Sequence, residues 1–93
     1  MRYHIVTVYG GPNGAVCGTD IASIRKLVED ARQAPDHVGK SLKEPIVHSD
    51  HWAFLLLQRV EQEWAIAYLC REGWEPFAVE EGGKLYFRRA TEE

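Results

Sequence analysis

Three of the four histidines, His37, His48 and His51, fall in one stretch of a 93-residue chain. In His48-Ser49-Asp50-His51 two imidazoles flank a carboxylate, a donor set that can hold a divalent transition metal if a turn wraps around it. His48, Asp50 and His51 would then serve a small metal-assisted hydrolase. Spacing identifies no further outside ligand, and Ser49 or Asp50 also suits a helix cap between solvated histidines. A second group lies at the C-terminus. Alternation along a strand puts Lys84, Tyr86 and Arg88 on one face, and Arg2 joins them if the first and last strands are neighbours. Arg2, Tyr86 and Arg88 could hold a small anionic or nucleotide-like ligand, the ring stacking and the guanidinium groups neutralising charge. The plain alternative is a solvated outer sheet face with charges near an edge.

Other nucleophiles and acids form no set. Cys17 and Cys70 have no histidine beside them, and thiol catalysis needs an activated thiolate. Cys70 falls on an apolar helix face and reads as a packed core residue. Cys17 reads as a small, buried or partly exposed thiol. The acids Glu61, Glu63, Glu72, Glu75, Glu80 and Glu81 are scattered over helical and hairpin positions, with no acid–base pair marked out. The Gly10 to Asp20 segment has neither GxGxxG nor a Walker lysine, and Asp20 would repel an anion at a helix start. No catalytic residue and no cofactor is assigned.

Composition narrows the classes. Eleven basic against fourteen acidic residues give a formal charge of −3, which argues against non-specific nucleic-acid binding driven by counterion release. The longest apolar run, Trp52 to Leu57, is far too short to span a bilayer. The Met1-Arg2-Tyr3-His4-Ile5 start lacks a signal-peptide pattern, so the expected location is cytoplasmic. Two cysteines make neither a disulfide framework nor a four-cysteine zinc site. Apolar residues are 45% of the chain. A single domain of this size buries only about 60–65% of its unfolded surface, so its stability is marginal or shared with another copy.

These side chains need elements to hold them. Arg2 to Tyr9 reads as a strand apolar on both faces, covered on both sides or central in its sheet. Gly10 to Gly14 ends it, and Ala15 to Cys17 forms a short link. Thr19 or Asp20 caps a helix whose Ile21, Ile24, Leu27, Val28 and Ala31 form an apolar stripe ending near Ala34, before Pro35. Residues 35–49 read as a surface connector or insertion. Trp52 to Leu57 suits a buried strand as well as a helix. The lack of a breaker between Val60 and Glu61 favours one helix from about His51 to Glu72, ended by Gly73. On that helix Leu57, Val60, Trp64 and Tyr68 form a second stripe, which points to a partner helix. A three-residue loop, Glu81-Gly82-Gly83, then pairs Val79 with Leu85, Phe77 with Phe87, and Glu80 with Lys84.

The run Ala65-Ile66-Ala67-Tyr68-Leu69-Cys70-Arg71-Glu72-Gly73-Trp74-Glu75, with Phe77-Ala78-Val79 and Tyr86-Phe87-Arg88-Arg89, resembles the small family catalogued as domain of unknown function 4177. The resemblance covers about the first ten and last thirty residues. It implies an opening strand, a helix ending in Gly-Trp-Glu and a closing hairpin. That family has no settled activity, so it supplies no catalytic residue.

The expected fold is α+β, a small two-layer domain with a three-stranded antiparallel sheet packed by two helices in the order β-α-α-β-β, residues 1–93 forming a single domain. The expected function is a small non-enzymatic binding or assembly module, homo-oligomeric through Leu57, Val60, Trp64 and Tyr68. The alternatives are sequestration of an anionic ligand at a subunit junction and, third, the His48/Asp50/His51 hydrolase.

Overall fold

The computed structural model describes residues 2–12, 14–34, 39, 42–48 and 52–91. The elements are β1 (Tyr3–Tyr9), β2 (Gly14–Gly18), α1 (Ile21–Arg32), β3 (Ile46–His48), β4 (Trp52–Leu57), α2 (Arg59–Arg71), β5 (Glu75–Glu80) and β6 (Lys84–Ala90). All strand pairs are antiparallel, and the order across the sheet is β3-β4-β2-β1-β6-β5. The α+β class and the two helices match the expectation. The three-stranded sheet does not, because β2, β3 and β4 extend it to six strands.

Each added strand has a local cause. β2 runs antiparallel to β1 with Tyr9 opposite Ala15, so Ala15 to Cys17 pairs with β1 as a hairpin rather than linking to α1. Trp52–Leu57 is a strand, and the helix begins only after Gln58. There the buried Glu61 carboxylate accepts the Gln58 backbone N–H at 2.7 Å, satisfying a donor exposed at the helix start. This capping contact sets the boundary, so no proline or glycine is needed. The buried Gln62 amide donates to Gly11 O at 2.7 Å and to Leu57 O at 3.3 Å, tying the first hairpin turn to the start of α2.

Within the 35–49 segment, Ile46–His48 forms β3. Gly39 and Leu42 are buried, and the Gly39 N–H donates to Ala31 O at 3.1 Å. A Cβ at Gly39 would collide with the Ala31 backbone. This part of the expected surface connector is therefore packed on α1.

α1 starts at Asp20, whose carboxylate accepts from Ser23 N at 3.3 Å and Ser23 Oγ at 2.7 Å. Arg89 on β6 reaches the same two residues, at 3.3 Å from Asp20 Oδ2 and 2.8 Å from Ser23 Oγ. Ile24, Leu27, Val28 and Ala31 of α1 enter a single core with Ala65, Tyr68 and Leu69 of α2. The sheet supplies Val6, Val8, Val16, Leu55 and Phe87, all on one face by alternation. Both helices thus cover the same side of the sheet. Among the described residues no helix is long and apolar enough to cross a membrane.

In the last hairpin Val79 pairs with Leu85 and Glu80 with Lys84, and Gly82 and Gly83 take positive φ, as the three-residue loop requires. The expected Phe77–Phe87 pair is replaced by Pro76–Phe87, with a register shift between Pro76 and Ala78. Pro76 has no N–H for the ladder, and the shift leaves Phe77 as an extra residue. Cys70 is exposed rather than packed in the core.

Phe87, fully buried under the helices, should cost about 3–5 kcal/mol on replacement by Ala. Val79→Ser, at a side chain 74% exposed, should stay within about 0.5 kcal/mol. Denaturant unfolding of the two variants checks both.

Candidate functional site

The other side of the sheet carries no helix among the described residues. The pairing register aligns its side chains in rows. One row crosses all six strands: Ile46, Phe54, Cys17, Thr7, Tyr86 and Ala78. The next runs Leu56, Ala15, Tyr9, Lys84 and Glu80. Ile5, Arg88 and Glu75 form a third, and His48 pairs with Trp52 at one end. At one end of this face Leu56 is 68% exposed and Ile46 55%; at the other Tyr3 (44%) and Phe77 (43%) lie beside Arg88. The row between them is partly self-shielded, with Thr7 only 7% exposed; large apolar side chains exposed on a face that no helix covers still suit an interaction site.

Aromatic contacts make the surface firm. His48 stacks on Trp52 with ring centroids 5.1 Å apart, and Trp52 lies 5.7 Å from Phe54. At the opposite end Phe77 lies 6.3 Å from Tyr86. The basic groups are already engaged. Arg88 pairs with Glu75 at 2.9 Å and sits over the rings of Tyr3 (4.9 Å) and Phe77 (5.2 Å). Lys84 lies 3.9 Å from Glu80 and 5.2 Å from the Tyr9 ring centroid. Burial pushes the Cys17 thiol up, so it is protonated at neutral pH and is not an activated nucleophile.

The residues singled out in the sequence are distributed as follows. Tyr86 and Arg88 share the open face, as alternation indicated. β1 and β6 are neighbours, and Arg2, just before β1, accepts the Thr91 N–H at its carbonyl at 2.9 Å. Leu57 is buried at the end of β4, Val60 is 56% exposed in the first turn of α2, Trp64 is half-buried, and Tyr68 is buried. The four therefore do not form one helical stripe, because α2 starts two residues after Leu57. His48 is exposed on β3, while Asp50 and His51 lie outside the described residues. Among the described residues no three His, Cys, Asp or Glu side chains gather as a metal site.

Two concavities accompany these features. A groove of about 390 Å³ lies beside Leu55, Leu56 and Leu57, where the chain before Pro45 leaves the edge of β4. Ile46, Phe54 and Leu56 line it and also belong to the open face, so groove and face are continuous. A cleft of about 520 Å³ lies between α1 and α2, lined by Asp30, Trp64, Tyr68 and Arg71. Tyr68 stacks on Trp64 at 4.9 Å and donates its hydroxyl to Asp30 at 2.6 Å. Lys26 bridges Asp30 (3.4 Å) and Glu72 (2.6 Å). The cleft is thus a cross-helix clasp.

Trp52, Phe54, Leu56, Ile46 and Phe77 were not singled out as site residues. Their signal was present: Trp52-Ala53-Phe54-Leu55-Leu56-Leu57 is apolar at both odd and even positions, as β1 is. Read as a strand, that run needs cover on two sides. No family model, curated protein or solved structure matches the chain.

The clasp gives a pH prediction. Burial, then the hydrogen bond to Asp30, pushes the Tyr68 phenol up to about 12 from its ordinary 10.0. The phenol holds its proton more tightly folded than unfolded. Its contribution to stability is therefore intact below pH 10 and is lost as pH rises through about 12. Absorbance titration of the folded protein should show a tyrosinate step near 12 that disappears in Tyr68→Phe.

Proposed function

We propose that the chain is a small non-enzymatic binding and assembly module that works through the open face of its sheet. The observation that carries this reading is the six-stranded face opposite the helices, where Leu56, Ile46, Tyr3 and Phe77 stand exposed with no helix over them among the described residues. In a domain this small, large apolar side chains left in water cost stability and solubility. A partner on that face offsets the cost.

The chemistry of the face favours a macromolecule over a small anion. An anionic ligand at Tyr86 and Arg88 would have to displace Glu75 from Arg88. Lys84 and Arg88 are matched by Glu75 and Glu80, so the face has no excess positive charge with which to attract a polyanion. What it offers is apolar and aromatic area, the basis of protein–protein recognition.

Native mass spectrometry of protein purified from its own host tests the reading. The expected spectrum shows the chain bound to protein, as a multimer of itself or with another polypeptide, and Leu56→Asp with Ile46→Asp releases the bound species. A spectrum of the bare monomer at working concentration would contradict it.

A further inference from the structure

We infer that the occupant of the open face is a second copy of this chain, stacked sheet on sheet about a two-fold axis with the helices outside. This rests on the assembly-module reading and deepens it by naming the partner.

Three properties favour self-association. The first is area. Six strands at about 4.8 Å spacing and some six residues of about 3.4 Å rise give roughly 600 Å² of flat footprint. Standing side chains raise the accessible area, so the face approaches the roughly 800 Å² per partner of a standard stable interface.

The second is charge. On the open face the cations Lys84 and Arg88 are matched by the anions Glu80 and Glu75 within the same protomer. A partner of strong net charge gains nothing there, whereas an identical neutral face brings equal apolar rows without unbalanced charge. In a two-fold stack the same patch serves both protomers and the contact closes on itself, so no filament follows.

The third is the state of the sheet edges. β5 carries Pro76, the register shift at Phe77, and Glu75 and Glu80, all of which disfavour pairing with another strand. β3 is only three residues long. With both edges poor templates, association is directed to the face. Sheets packed this way lie about 10 Å apart with their strand directions about 30° from parallel. A two-fold through the middle of the face covers Thr7 and Cys17, which occupy its two central strands.

Sedimentation equilibrium and thiol alkylation on the full chain test this. The wild type is expected to be dimeric at micromolar concentration, with Leu56→Asp and, separately, Ile46→Asp weakening the dimer by at least about tenfold. Both replaced side chains are more than half exposed in the protomer, and circular dichroism should show the fold retained. Val79→Asp, on the other side of the sheet and 74% exposed, should leave the dimer intact. Cys17 should be alkylated more slowly in the dimer than on dilution to monomer, while the exposed Cys70 on α2 reacts at one rate throughout. The alkylation comparison needs no variant.

A wild type that stays monomeric, a dimer unaffected by Leu56→Asp and Ile46→Asp, or Cys17 reactivity independent of association would overturn the inference. If the chain does not self-associate but its host complex contains a different protein released by the same variants, the second copy is refuted and the assembly reading stands. A bare monomer in both settings refutes both.

Discussion

β1 and β4 are apolar on both faces, and the two helices, of 12 and 13 residues, can cover only one. Most other features of the molecule follow from that imbalance. Val6, Val8, Leu55 and Leu57 take the covered side and meet Ile24, Leu27, Ala65 and Leu69 in the core. Phe54, Leu56, Tyr9 and Ile5 are left on the other side by the two-residue period of the strand, because no rotation of a strand can hide both sets behind one layer. Neighbours on that side shield one another in part. Thr7, between Cys17 and Tyr86, is only 7% exposed although no helix reaches it. The side chains at the rim, Leu56, Ile46, Tyr3 and Phe77, are less sheltered, although Arg88 lies over the last two rings.

The parts of the fold that local chemistry specifies were legible from the sequence. The α1 stripe and a cap at Thr19 or Asp20, the positive-φ Gly73 after α2, and the Glu81-Gly82-Gly83 loop with its Val79–Leu85 register each rest on residues within a few positions of one another. The sheet order was not legible, because it depends on β2 and β4. β2 has only five residues, two of them glycine, so its composition resembles a linker. In β4 every residue suits helix and strand alike, and periodicity cannot decide a run apolar at every position. The deciding contact, Glu61 closing on the Gln58 N–H, marks a helix start with residues that are unremarkable inside a helix.

The candidate site inherits the same division. Tyr86 and Arg88 could be placed on one face because their hairpin register was readable. The larger half of the face, from Cys17 through Phe54 to Ile46, became visible only once Trp52–Leu57 was a strand. Of the stripe read from Leu57 to Tyr68 only Leu57 belongs to another element, β4, while Val60, Trp64 and Tyr68 lie on α2. Phe77 joined the face through the shift beside Pro76. The pairing of Arg88 with Glu75 is a cross-strand contact that the shifted register creates, and it sets a carboxylate beside the guanidinium.

Small-angle X-ray scattering tests the central claim most directly, because stacking two sheets face to face produces a compact particle. The protomer has a Cα radius of gyration of 12.4 Å. Two protomers with sheets about 10 Å apart and helices outside place their centres about 20 Å apart, giving a radius of gyration of about 16 Å. Joining the same protomers edge to edge as a continued sheet separates the centres further and gives about 19 Å or more. The account predicts a dimeric mass with the smaller value. A dimeric mass with the larger value, or a monomeric mass with a radius near that of the protomer, would contradict it.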